Sequence, residues 1–159
     1  MAIEIERKFL VEGDGWRAGA RASRIEQGYL SNSPDVSVRV RIRDQAASLT
    51  VKGERSGLTR DEFEYPIPLD EARTMLALCV LPPIIKTRHD VLFAGRLWEV
   101  DEFAGRHTGL IIAEIELASE ADEITLPPWI GAEVTHDPRY RNSVLIAADP
   151  LPGTLGPAT

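Results

Sequence analysis

The sequence predicts an α+β fold in which eight antiparallel strands close into a barrel, a tunnel with a polar, charged interior and helices packed outside. Most of the chain alternates apolar and polar residues with a period of two, which is typical of strands. Two segments instead show the spacing of amphipathic helices. On several strands, side chains of like charge share one face. Because like charges at that spacing repel, this pattern favours an enclosed interior in which a ligand or a counter-charge neutralises them.

The length and the composition indicate one globular domain. The 159 residues suffice for a single domain, which we expect to span residues 1–149 and to leave a flexible tail over residues 150–159. The net charge of −7 argues against a protein whose main task is binding nucleic acid. The single cysteine, Cys79, excludes an internal disulfide bond and a cysteine-rich zinc site.

The chain shows no membrane or export signal. No apolar run approaches the ~20 residues of a membrane span, and the first residues lack a signal-peptide pattern. We therefore expect a cytoplasmic protein that has neither a membrane nor a nucleic acid as its partner. The sequence leaves the oligomeric state open.

The predicted strands follow one another through short turns. In the first strand, the polar face carries Glu4, Glu6 and Lys8. In the third, it carries three arginines beginning at Arg39. The eight strands are predicted near residues 3–9, 25–30, 36–43, 49–52, 62–65, 84–94, 96–103 and 111–117.

The first predicted helix starts at Asp70, which can serve as its N-cap, and runs to about Val80. The two prolines at residues 82–83 would end it. Its apolar face is expected to comprise Met75, Leu76, Cys79 and Val80, so that Cys79 packs in the core rather than acting as a nucleophile.

A second helix is predicted from Asp137-Pro138, an N-cap followed by proline at the first helical position, to about Ala148. A short helical stretch near Ser119 to Ile124 has weaker support.

The charged residues of the predicted strands segregate by sign. Of the 18 basic residues only three are lysines, Lys8, Lys52 and Lys86, and each lies in a strand rather than on an expected surface. The acidic pairs are Glu4/Glu6, Glu62/Glu64, Glu99/Asp101 and Glu114/Glu116, and the other basic sets are Arg39/Arg41/Arg43 and Lys86/Arg88.

These residue types predict a site for a phosphate chain and its metal ion. Clustered carboxylates in a confined space need a cation, and oxygen ligands without cysteine or spaced histidines favour Mg²⁺ or Mn²⁺. Arginines and lysines that face the same cavity call for a polyanion, because the planar arginine group suits phosphate oxygens.

Residues 4–8, Glu-Ile-Glu-Arg-Lys, match the E-x-E-x-K signature of the CYTH superfamily, the triphosphate tunnel metalloenzymes, and the resemblance extends over most of the chain. That short motif alone is weakly specific, whereas the ordered set of charged pairs on successive strands is strong. The further matches, in the family's order, are Arg39-Val40-Arg41, Thr50-Val51-Lys52, Glu62-Phe63-Glu64, Lys86-Thr87-Arg88, Asp101, Glu114-Ile115-Glu116 and the segment 137–142.

The resemblance implies an eight-stranded tunnel that binds a triphosphate group, with specific roles for the charged residues. The implied metal ligands are Glu4, Glu6, Glu114 and Glu116. The implied phosphate-binding residues are Lys8, Arg39, Arg41, Lys52, Lys86 and Arg88. The acids Glu62, Glu64 and Asp101 are placed in the tunnel, where they orient basic side chains or bind a second metal ion.

A few further residues are candidates on other grounds. Lys8 lies one strand step from Glu6, so it could meet both a phosphate and the attacking water, and Tyr29 could orient that water. Of Arg139 and Arg141, at the start of the last predicted helix, we expect one, Arg141, to touch the substrate. Three histidines, His89, His107 and His136, are expected on the surface or in loops, and Trp16, Trp98 and Trp129 are expected to pack.

The expected reaction is metal-dependent hydrolysis of a phosphoanhydride bond in a small-molecule triphosphate. Inorganic tripolyphosphate is the first choice, cleaved to pyrophosphate and phosphate, because no base-recognising pocket is evident. The alternatives are a class IV-type adenylate cyclase, a thiamine triphosphatase and a polyphosphate-binding module without catalysis.

Overall fold

The computed structural model describes residues 3–148, so the predicted tail lies outside the described residues. Within this range the polypeptide forms nine strands and two α-helices, with short 3₁₀ turns at Gly105–His107 and Pro138–Tyr140. The strands are β1 (Ile3–Val11), β2 (Arg21–Asn32), β3 (Val36–Arg43), β4 (Ala46–Gly53), β5 (Thr59–Ile67), β6 (Ile84–Phe93), β7 (Arg96–Phe103), β8 (Ile111–Glu116) and β9 (Ile130–Glu133), and the helices are α1 (Leu69–Leu78) and α2 (Asn142–Leu145).

Strand β1 closes the sheet into a barrel. The strand order is β5-β4-β3-β2-β6-β7-β8-β1, and β1 pairs with β5 as well. Residues 3–5 of β1 pair with β5, whereas residues 6–10 pair with β8, and every pairing is antiparallel. The predicted eight-stranded barrel is therefore confirmed. A barrel of this size is just wide enough for side chains and one small ligand.

Strand β9 is an addition that the sequence analysis missed. It pairs with β1 at Phe9 and Val11, beyond the part of β1 that pairs with β5. With four residues, Ile-Gly-Ala-Glu, it is too short to show a period of two.

The apolar cores lie outside the barrel and at one of its ends, which leaves the interior to charged residues. The largest cluster covers the outer face of β1, β6, β7 and β8 and includes all three tryptophans. Trp98 contacts Phe9 and Trp129 with ring centroids 5.7 and 5.8 Å apart. The predicted packing role of the tryptophans is therefore confirmed.

Helix α1 covers a second cluster on the outer face of the barrel, but two details of its prediction were wrong. Pro68 rather than Asp70 precedes the helix, and Asp70 lies in the first turn, where its charge favours the positive end of the helix dipole. The helix ends at Leu78, and Val80 is 96% exposed instead of joining the apolar face. The residues of α1 in this cluster are Leu69, Ala72, Met75 and Leu76.

Cys79 follows the last residue of α1 and is half-buried against β2, outside the apolar clusters in which it was predicted to pack. A Cβ atom at Gly28 of β2 would lie 3.0 Å from the Cys79 Sγ, so glycine allows the close approach of helix and strand. The pKa of the Cys79 thiol is raised by burial, which disfavours the nucleophilic thiolate.

The prediction of one continuous helix from Asp137 to Ala148 is wrong, because the segment forms a 3₁₀ turn and a separate short α-helix. Asp137 does cap a turn, since it accepts from the backbone N–H of Arg139, but that turn is a single 3₁₀ turn. Arg141 is extended, with ψ of 134°, and α2 starts only at Asn142. The break allows α2 to change direction and to place Leu145 in a third apolar cluster, the end cluster, with Ile84, Phe103 and Ile112. The stretch 119–124 forms a turn and no helix.

That end cluster closes one end of the barrel. Leu145 and Ile146 are buried against Ile84, Phe103 and Ile112, whose strands line the barrel. Among residues 3–148, no helix is both long and apolar enough to cross a membrane.

Replacing Trp98 by alanine is expected to lower the free energy of unfolding by about 3 kcal/mol, because the fully buried ring leaves a cavity between Phe9 and Trp129. Leu92→Ala, at a side chain that is 79% exposed, is the control and should change it by less than about 0.5 kcal/mol. Urea unfolding measures both. Equal effects of the two substitutions would contradict this account of the core.

Candidate active site

A cavity of about 250 Å³ lies inside the barrel and is lined almost entirely by charged side chains. Ten basic and seven acidic residues face it, so it carries an excess of positive charge although the whole chain carries −7. The basic residues are Lys8, Arg39, Arg41, Arg43, Lys52, Arg55, Arg60, Lys86, Arg88 and Arg141; the acidic ones are Glu4, Glu6, Glu62, Glu64, Glu99, Glu114 and Glu116; and Tyr29, Asn142 and Ser143 complete the lining.

The three lysines are buried inside the barrel, at 1–9% exposure. Lys52 of β4 holds Glu4 of β1 at 2.8 Å and Glu62 of β5 at 3.1 Å, and therefore bridges three strands. Lys8 lies 3.4 Å from Glu114 of β8. The unusual placement of lysines in the sequence thus corresponds to ion pairs in the tunnel wall.

Asp101 lies behind the cavity wall and fixes two of the phosphate-binding candidates. It accepts two hydrogen bonds from the Arg88 guanidinium, at 2.8 and 2.9 Å, and one from Lys86 at 2.6 Å. Arg88 and Lys86 together hold the pKa of Asp101 far below its usual range, against the effect of burial. Of the two roles implied for Glu62, Glu64 and Asp101, these contacts favour, for Asp101, the orientation of basic side chains.

The other two acids of that set line the cavity. Glu62 pairs with Lys52, while Glu64 accepts a hydrogen bond from Thr50 and lies 3.8 Å from Arg39. These contacts also make them partners of basic side chains.

Two arginines of the cavity have no carboxylate partner among the described residues. Arg41 donates only to the neutral amide of Gln27, at 2.9 Å. Burial and the neighbouring Arg39 and Arg88 lower the pKa of Arg41 to about 9. The pKa of Arg141 is lowered by burial and by Arg55 and Arg60. Crowded cations of this kind are stabilised by an anion that enters the cavity.

The acidic side of the cavity shows the opposite crowding. Glu6 is directly opposite Glu116 across the β1–β8 pair, and Glu99 is opposite Glu114 across the β7–β8 pair. Burial and Glu114 raise the pKa of Glu6, and burial and Glu4 raise the pKa of Glu116. Carboxylates in this arrangement fit a cation, and their oxygen donors are those that Mg²⁺ and Mn²⁺ prefer.

The carboxylates are engaged with basic side chains in this structure. Glu4 contacts Lys52 and Arg60, Glu114 contacts Lys8, and Glu6 lies 3.6 Å from Arg55. Among residues 3–148, no three acidic or histidine side chains are grouped closely enough to chelate an ion without rearrangement.

All the predicted site residues except Asp101 line the cavity, and they include Tyr29 near the end of β2. The structure adds residues that the sequence analysis missed. Arg60 shares its face with Glu62 and Glu64, so extending the alternation by two residues would have found it. Arg55, in the turn after β4, carries no such signal. Arg43, the third arginine on the polar face of β3, also lines the cavity and donates to Ser23 and Asp90.

Two expectations near the last helix have different outcomes. Arg141 lines the cavity, whereas Arg139 is exposed and pairs with Asp137 at 2.7 Å. His107, expected on the surface or in a loop, lies in a 3₁₀ turn but is buried. It is 3% exposed, and its Nε2 lies 2.7 Å from the Leu145 carbonyl oxygen.

A closed antiparallel barrel with paired carboxylates and surplus cations inside defines a tunnel for a polyanion and its cation. Comparison with known proteins identifies the particular family. The CYTH domain profile matches residues 2–143, and the chain belongs to the CYTH family.

Similar proteins, matched over more than nine-tenths of this chain, support its membership of the family. The chain is 49% identical over 147 residues to the inorganic triphosphatase of Acetivibrio thermocellus, covering 92% of this chain and 94% of that one. It is 38% identical over 154 residues to the inorganic triphosphatase of Nitrosomonas europaea, covering 92% and 99%. A solved structure described as an inorganic triphosphatase superposes with a TM-score of 0.67 at 34% identity, covering 95% of this chain and 99% of that one.

Lys86 gives the site a testable pH dependence. Burial, with Arg88 and Arg41 nearby, outweighs Asp101 and Glu114 and lowers the pKa of Lys86 to about 7, from 10.5 in the unfolded chain. Between these values the unfolded chain holds a proton that the folded chain has lost, so the stability contributed by this group rises with pH. The free energy of unfolding of wild type, minus that of Lys86→Met, should therefore rise by about 2 kcal/mol from pH 7 to pH 9.

Urea unfolding of both proteins at the two pH values measures this difference. Titrations of other groups are common to the two proteins and cancel. A difference that stays constant, or that falls as the pH rises, would show that Lys86 keeps its proton in the folded protein.

Proposed function

We propose that this protein hydrolyses inorganic tripolyphosphate to pyrophosphate and phosphate inside the barrel, with Mg²⁺ or Mn²⁺ as its metal ion. The observation that carries the proposal is the unpaired positive charge of the cavity, above all Arg41, which has no carboxylate partner among the described residues. The names of the two curated relatives support the same activity.

The basic side chains would bind the phosphate chain and stabilise its charge. Arg39, Arg41 and Arg88 approach the cavity from β3 and β6, so the guanidinium groups can bind several phosphate oxygens at once. Because the barrel fixes these side chains before the substrate arrives, they can stabilise the charge that grows on the departing pyrophosphate without a costly rearrangement. In the reaction, one water molecule forms a bond to phosphorus as one bridging P–O bond breaks.

Two residues are assigned to the water side of the reaction. Lys8 is buried and 3.4 Å from Glu114, so its ammonium can lie between a phosphate and the acidic side of the cavity. Tyr29 lines the same cavity and could orient the attacking water through its hydroxyl group.

CYTH triphosphatases depend in general on a metal ion. We assign the metal-binding role to four carboxylates of β1 and β8, namely Glu4, Glu6, Glu114 and Glu116, whose mutual repulsion a cation would relieve. When bound, a divalent ion would neutralise the charge of phosphate oxygens and lower the pKa of a coordinated water.

The lining favours an inorganic substrate over a nucleotide or thiamine triphosphate. Among the described residues that face the cavity, Tyr29 is the sole aromatic one, and large aliphatic side chains are absent from the lining. An organic base or thiazole ring needs such surfaces for stacking and packing. The volume of about 250 Å³ is also small for a drug-sized ligand and suits a compact chain of phosphates.

The test is phosphate release from tripolyphosphate by wild type and by Glu6→Gln. Wild type should turn over with Mg²⁺ or Mn²⁺ and lose activity reversibly with a chelator. Glu6→Gln keeps the shape of the side chain but removes its charge, and it should reduce kcat/KM by about 100-fold or more. Glu71→Gln, on the exposed surface of α1, is the matched control and should retain full activity.

Parallel assays with ATP, thiamine triphosphate and tripolyphosphate separate the alternatives. Cyclic AMP as the main product from ATP would indicate a cyclase, and a higher kcat/KM for thiamine triphosphate would indicate a thiamine triphosphatase. Tight calorimetric binding of tripolyphosphate without turnover would indicate a binding module. Any of these three results would contradict the proposal.

A further inference from the structure

Asn142, the first residue of α2, contacts one of the phosphate-binding candidates, Lys86, through its side chain. Its Oδ1 accepts a hydrogen bond from the Lys86 Nζ at 2.9 Å and another from the Gln27 Nε2 at 3.1 Å. Lys86 and Gln27 are 1% and 0% exposed. One side-chain oxygen thus holds two buried donors that come from neighbouring strands, β6 and β2.

The contact continues through Gln27 to Arg41. The Gln27 Oε1 accepts from the Arg41 Nε at 2.9 Å, and the two residues are directly opposite in the β2–β3 pair. Because Gln27 donates to Asn142 through its nitrogen, its oxygen is turned towards Arg41. Asn142 therefore determines the orientation of the amide that holds Arg41, the cavity arginine without a carboxylate partner among the described residues.

The position of Asn142 is fixed by the anchoring of α2. Leu145 is fully buried in the end cluster, and its carbonyl oxygen lies 2.7 Å from the His107 Nε2. Arg106 donates to the carbonyl oxygen of Ile146. At the other end, the Asn32 side chain donates to the carbonyl oxygen of Ser143 at 2.7 Å. The four-residue helix α2 is thus held at both ends, and this fixes the position of Asn142 at the cavity.

We propose that Asn142 is a positioning residue, which holds Lys86 directly and Arg41 through Gln27 in the orientation that binds the phosphate chain. The inference rests on the proposed function, because it assumes that Lys86 and Arg41 bind phosphate. Its consequence is that the last helix contributes to substrate affinity without itself donating a charge. None of the charged motifs in the strands reveals this role.

The decisive variants are Asn142→Leu and Asn142→Asp, with Asn32→Ala as the control. Leucine has a similar size but no acceptor, so both donors lose their partner and KM for tripolyphosphate should rise about 10-fold or more, while kcat changes less than about 3-fold. Asn32→Ala removes one anchor of the same helix, whereas the burial of Leu145 and its contact with His107 still hold Asn142 in place, so KM should stay within about 3-fold of wild type. Circular dichroism establishes that each variant folds.

The pH profile of kcat/KM separates positioning from simple loss of structure. Lys86 is faced by Asp101 and Asn142 at contact distance and by Arg88, Arg41 and Glu114 nearby. Aspartate at residue 142 adds a negative charge beside Lys86 and should shift the alkaline limb of the profile to higher pH. Leucine removes a hydrogen-bond acceptor from the ammonium and should shift that limb to lower pH. Asn32→Ala should leave the limb where wild type has it.

Opposite shifts of the two Asn142 variants, with an unshifted control, would support the proposal. Unshifted profiles in both variants, or a KM of Asn142→Leu equal to that of wild type, would overturn it. If wild type itself does not hydrolyse tripolyphosphate, the proposed function fails, and the positioning role is then judged by calorimetry. In that case the Kd for tripolyphosphate must rise about 10-fold in Asn142→Leu, and an unchanged Kd overturns the inference.

Discussion

Charged side chains inside a closed barrel must find their counter-charges inside it, because the wall excludes most of the water that would otherwise solvate them. This constraint organises the whole molecule. Lys52 joins β1, β4 and β5 through Glu4 and Glu62, and Asp101 joins β6 and β7 through Arg88 and Lys86. The apolar cores are displaced to the outer face of the barrel and to one end, where the tryptophans, α1 and α2 cover them.

The pairing is incomplete in a way that suits the ligands. Arg41 has no acidic partner among residues 3–148, while Glu6 and Glu116 are opposite each other on adjacent strands. A phosphate chain accompanied by a divalent cation supplies a negative charge to the first group and a positive charge to the second. Under the proposed function, the same residues that would be costly in an empty interior would form the binding site for a metal–triphosphate complex.

The barrel and most of its lining could be predicted because strands place alternate residues on opposite faces, so that charge pairs such as Glu4/Glu6 and Lys86/Arg88 mark the interior directly. What escaped prediction depends on contacts remote in sequence. The break at Arg141 follows from the packing of Leu145 at the barrel end, and β9 exists because β1 offers it a free edge beyond the pairing with β5. His107 and Asn142 make such contacts, with Leu145 and with Lys86: no local pattern marks His107, and the family match of segment 137–142 does not reveal the contact of Asn142 with Lys86.

The central claim is that one interior binds the triphosphate and the metal ion together. A crystal structure with Mn²⁺ and tripolyphosphate, recorded at a wavelength where manganese scatters anomalously, tests it most directly. The account predicts an anomalous peak beside Glu6 and Glu116 inside the barrel, with the phosphate chain in contact with Arg41 and Lys86. Manganese on the outer surface, or a phosphate chain bound away from these side chains, would contradict it.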